Sequence, residues 1–182
     1  TDDAGVWRLP NGEALYQVAL ESYGAIGMTA DEIHDLGLQD VSRIQAQMDA
    51  LLRGLGYSKG TVGERMNMLA SNPSNLYPTT DAAKEVILKD LERHIEDIKP
   101  VMLEWFETDA YKPIVIKRVP TYQENSSGAA FYTPPALDGS QPGTFWINLK
   151  DTADWPKYTL KSLVYHEALP GHHFQTSVQQ EI

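Results

Sequence analysis

The sequence contains no cysteine. It therefore has no disulfide framework and no thiolate metal ligand, and cysteine usage leaves its redox compartment unreadable. It also lacks any cluster of lysine and arginine: 15 basic side chains face 25 acidic ones, for a net charge of −10. That balance argues against nucleic acid or any other polyanion as a partner, because such binders carry a basic stripe. No apolar run approaches the ~20 residues needed to cross a bilayer. The opening stretch TDDAGVWRLPNGEALY lacks the charged-then-apolar pattern of a signal peptide. What is present is ordinary globular composition, 42% apolar and 22% charged over 182 residues, enough for one sizeable domain or two small ones.

The first two-thirds read as helical. After the turn-like WRLPNG, residues 13 to 23 place Leu15, Val18, Ala19 and Tyr23 near one stripe. Thr29 and Glu32 form a capping-box pattern, with Gly37 as a stop. Val41, Ile44, Met48, Leu51, Leu52 and Leu55 then continue at helical spacing. A further helix follows Thr61, and SNPSNLYPTT breaks it. Thr80 or Asp81 caps a long segment to about Ile98, carrying Val86, Ile87, Leu91 and Ile95 on one face, and Pro100 starts a new short helix.

Character changes after Lys112. IVIKRVP, AAFYTPP and GTFWINL read as three short strands, and a helix beginning near Pro156 carries YTLKSLVYHEAL. The expected class is α+β, mostly α-helical, with a small sheet of about three strands preceding the motif helix. Residues 1–112 form the helical part, and 113–182 the sheet plus motif helix, within one continuous unit.

The chemistry concentrates in YHEALPGHHFQ, which holds three of the five histidines. A helical H-E-x-x-H sets two imidazoles on one face as zinc ligands, with the glutamate as general base. His166 and Glu167 supply the first half, but the position four residues on is Pro170. On a regular helix His172 would point about 120° away from His166, and His173 would sit roughly 10 Å further along the axis. Pro170 cannot continue the helix and Gly171 frees the backbone, so a bulge is expected to return His172 or His173 to the displaced position. The bland reading is a solvated helix end.

YHEALPGHHFQ closely resembles the signature of the bacterial family named domain of unknown function 885. GVWRLPNGEALYQVAL, TADEIHDLGLQDVSRIQAQM and PALDGSQPGTFWINLKD fit in the same order, from Gly5 to the last residue. Members of that family are considerably longer, which implies an internal piece of a longer protein, truncated at its C-terminus. The family resembles mostly helical zinc peptidases, so the resemblance implies a gluzincin-like peptidase fragment. His166 and one of His172 and His173 would bind zinc, and Glu167 would be the general base. A third ligand, a glutamate in an E-G-W-A-like segment, is implied on a later helix; Glu181 cannot serve, since it follows His173 on the same helix. The resemblance also implies an exported or periplasmic location.

The reading from sequence is thus a zinc-dependent metallopeptidase-like hydrolase of peptide bonds, carrying part of its active site, with zinc as cofactor in the intact protein. A peptide substrate would add to GTFWINL as an edge strand, touching Trp146 and Asn148, with Tyr132 polarising a carbonyl. Trp146 as an ordinary sheet residue and Tyr132 as a packing residue are the bland alternatives. Arg118 suits a salt bridge, and His34 and His94 fall outside the site. Surface exposed by truncation is a route to self-association. The rival, from a different class, is a non-enzymatic helical binding module whose histidine cluster is structural or degenerate. A pH-sensitive histidine switch is a third reading.

Overall fold

A computed structural model describes residues 4–108 and 111–181. The chain divides into two compact units, Thr1–Asn67 and Met68–Ile182.

In the first unit, a short 3-10 turn at Gly5–Arg8 leads into α1 (Gly12–Ser22). Gly12 starts that helix against the Val6 carbonyl, where a Cβ has no room. The rings of Trp7 and Tyr16 meet at 5.7 Å. α2 spans Ala30–Gly54 and begins with the expected capping box: the Thr29 hydroxyl accepts from the Glu32 N–H at 3.2 Å, and the Glu32 carboxyl accepts from the Thr29 N–H at 2.8 Å. The expected stop at Gly37 does not occur. A helical glycine costs only about 1 kcal/mol relative to alanine, and the good helix formers on either side carry the helix through it. The same reciprocal cap recurs at Thr61 and Glu64, opening α3 (Val62–Ala70). Arg65, buried on α3, reaches Asp49 on α2 at 2.5 Å and the Thr61 carbonyl at 3.2 Å. With Arg53 also on it, the Asp49 carboxyl is held down at about 2.

In the second unit, α4 (Asp81–Met102) is capped by the Thr80 hydroxyl, which accepts from the Ala83 N–H. Its stripe Ala83, Ile87, Leu91, Ile95 and Met102 is buried. Pro100 does not begin a new helix; it lies in the last turns of α4. So close to the end its missing N–H forfeits a single ladder bond.

Three strands follow on the three expected segments: β1 (Ile114–Arg118), β2 (Ala130–Thr133) and β3 (Gly143–Ile147). Their order is β1-β3-β2, parallel between β1 and β3 and antiparallel between β2 and β3. β3 is therefore the central strand. That corrects the assignment of GTFWINL as the edge to which a peptide adds, since both its hydrogen-bonding sides are taken. Phe145 and Ile147 face the core with Leu91, Leu160, Val164, Leu169 and Phe174. On the other face Trp146 stacks on Phe131 at 6.1 Å. The fold is α+β, mostly helical, around this small mixed sheet.

Candidate functional site

α5 (Lys157–Glu167) delivers His166 and Glu167 as its last two residues. The chain then turns through Ala168–Gly171, and α6 (His172–Gln179) begins at once. Ala168 and Leu169 are fully buried, which seats the turn in the core. Gly171 is required there: a Cβ at this position would run into the His166 carbonyl. The break expected at Pro170-Gly171 is thus present, but it separates two helices rather than looping out of one.

The break divides the histidines. His172 opens α6 on the exposed side, with its ring edge-on to that of His166 at 4.7 Å. His173, the next residue, turns away from it and is completely buried. Its Nε2 lies 2.6 Å from the Lys112 carbonyl and its Nδ1 lies 2.8 Å from the Tyr132 hydroxyl. A carbonyl only accepts, so Nε2 carries the proton and donates; in the neutral ring Nδ1 then accepts from the tyrosine. Burial pushes the His173 pKa down, outweighing the carbonyl bond that raises it. Burial pushes the Tyr132 hydroxyl up to about 12.

Sequence reasoning missed Lys112 as the anchor. Its N–H donates to Ser177 Oγ at 3.2 Å, and its Nζ donates to Gln180 Oε1 at 2.7 Å. His173, Ser177 and Gln180 are spaced by four and three residues, so one face of α6 grips one residue ahead of β1. That polar i, i+4, i+7 pattern was the available signal. Gly143 completes the arrangement: a Cβ there would come within 2.5 Å of His173 Nδ1 and 2.9 Å of the Tyr132 hydroxyl.

The remaining predicted residues are dispersed. Trp146 donates its indole N–H to the Thr133 hydroxyl at 3.1 Å, and Asn148 donates to the Glu124 carbonyl at 2.8 Å. Both are committed to the sheet and its loops. Arg118 is ion-paired with Glu124 at 2.8 Å.

Glu167 and His172 both line a cleft of about 460 Å³, with Ala130, Phe131, Tyr132, Pro134 and Thr176. Glu167 is only 8% exposed; among the described residues the fully buried side-chain polar atom without a hydrogen-bond partner is His94 Nδ1, not a carboxyl oxygen of Glu167.

These positions overturn the zinc reading. A catalytic zinc takes three protein ligands. His166 and His172 adjoin, but His173 is turned inward with both nitrogens engaged. Among the described residues no group of three or more His, Cys, Asp or Glu is placed to hold a metal ion. The zinc cofactor, the metallopeptidase and hydrolase activity, the peptide substrate and the gluzincin-like fold assignment all rested on that constellation, and they are withdrawn for this chain. So is the implied kinship to zinc peptidases. No helix among the described residues is long and apolar enough to cross a membrane.

Fold and cluster together define an α+β protein in which a histidine-bearing helix is locked onto a small mixed sheet. The chain belongs to the family described as "Bacterial protein of unknown function (DUF885)", whose model matches residues 1–182. No curated protein matches it. The crystal structure of a "putative lipoprotein" from Colwellia psychrerythraea is similar, with a TM-score of 0.91 and 39% identity over 97% of this chain. The chain spans 30% of that protein's length.

Proposed function

We propose that this chain is a non-catalytic, helix-rich binding module of an exported bacterial protein, with a structural histidine cluster and a ligand cleft between β2 and α6. The observation that carries the reading is Glu167, an acidic residue only 8% exposed on the wall of a cleft that it shares with two aromatic rings and His172. A carboxyl set in a largely buried wall favours a ligand that donates charge-assisted hydrogen bonds to it. Phe131 and Tyr132 add aromatic walls, and His172 and Thr176 add polar contacts. The cleft therefore suits a small ligand with a cationic, donor-rich head and a flat apolar body: the head pairs with Glu167 and the body lies on the rings. The lipoprotein description of the Colwellia relative supports the exported location.

Benzamidine is a fitting probe, joining an amidinium to an aromatic ring. Titration calorimetry should show saturable binding to the wild type, weakened at least tenfold in Glu167→Gln. No binding, or equal binding by the variant, would remove the cleft from the account.

A further inference from the structure

The apolar stripe of α2 is not buried as its periodicity leads one to expect. Val41, Ile44, Met48 and Leu51 on α2, with Leu55 just past its end, recur at spacings of three, four, three and four. At 100° per residue these five fall within an arc of about 80°, extending over roughly 21 Å of helix axis. That narrow seam has the a/d geometry by which one helix packs along another. Yet Val41 is 52% exposed, Ile44 44%, Leu51 69% and Leu55 62%. Only Met48 is half-buried. The opposite face carries Arg43, Ala46, Ala50 and Arg53 and no large apolar side chain, while Leu52, beside the seam, is the buried residue of α2. A contiguous exposed apolar seam of this kind marks a packing surface.

The length of the similar Colwellia protein bears on what covers it. The 39% identical Colwellia structure contains nearly all of this chain, which accounts for 30% of that polypeptide. We infer that the α2 seam is the docking face for an amphipathic helix from the remainder of such a longer polypeptide, packed alongside α2 with its own a/d stripe inserted between Val41, Ile44, Met48, Leu51 and Leu55. This surface is separate from the Glu167 cleft and does not depend on it.

The chain has no cysteine, so single cysteines report cleanly. Val41→Cys, Ile44→Cys and Leu51→Cys would be introduced one at a time, with exposed Ala50→Cys on the far side of α2 as control. Maleimide labelling rates would be compared between the full-length gene product and this 182-residue chain alone. The three seam positions should label at least tenfold more slowly in the full-length protein, while Ala50→Cys labels alike in both. Equal rates at seam and control in the full-length protein overturn the inference. So does slow seam labelling in the isolated chain: if it depends on concentration, the occupant is a second copy, and if not, it is the chain itself.

Discussion

Replacing His173 with alanine removes two hydrogen bonds in the core and leaves the Lys112 carbonyl without its partner. Each bond contributes about 1 kcal/mol net, and an orphaned buried carbonyl costs a further 1–3 kcal/mol. These terms together give an expected destabilisation of about 3–5 kcal/mol, and the packing lost around a fully buried ring acts in the same direction. Urea unfolding monitored by tryptophan fluorescence should show it. With a slope of about 1–3 kcal/mol/M, the midpoint should fall by more than about 1 M. Tyr132→Phe keeps the carbonyl bond and deletes only the hydroxyl, so it should cost about 1–2 kcal/mol and fold even if His173→Ala does not. The link also sets a pH dependence. Because the folded pKa of His173 is depressed by burial, the unfolded chain binds the extra proton first. Stability from this group is complete above the unfolded value of about 6.5, declines as pH falls below it, and levels off once the folded pKa is passed. A loss under 1 kcal/mol in His173→Ala, or an acid dependence below pH 6.5 unchanged in that variant, would refute the structural role.

Two glycines make sharper steric tests. Gly143→Ala sets a methyl group against His173 and the Tyr132 hydroxyl; it should cost about 1–3 kcal/mol by urea unfolding, and much less in a His173→Ala background. Gly171→Ala drives a methyl group into the His166 carbonyl, a backbone atom that cannot swing aside. A loss of about 3 kcal/mol or more is expected, read as a fall in the thermal midpoint, and a neutral result would show that the turn is not built as described.

The fold was legible where periodicity and capping speak locally. Thr29 with Glu32, Thr80 before α4 and the β-branched Ile114–Arg118 segment carry their own instructions. Gly37, read as a stop, and Pro100, read as the start of a new helix, misled because each was read on its own, whereas helix continuity depends on all the residues around it. Strand order was not legible at all. Which strand lies between the others depends on pairings between Ile114–Arg118, Ala130–Thr133 and Gly143–Ile147 that no local pattern encodes.

The candidate site was half legible. The spacing showed that Pro170 and Gly171 must interrupt the helix, but it left His172 and His173 equivalent. A one-residue step on a helix is a 100° rotation, so one of the pair had to turn away. Only the position of the Lys112 carbonyl and the Tyr132 hydroxyl decides which. Glu167, the other half of the motif, lines the cleft beside His172.

Long-range 15N correlation spectra of the histidine rings across a pH titration test the central claim most directly. The account predicts that His173 is a neutral Nε2–H tautomer, hydrogen-bonded at Nδ1, that protonates only below pH 6.5 and is unmoved by added zinc. A His173 ring that protonates at or above pH 6.5, holds its proton on Nδ1, or shifts when zinc is added would contradict it.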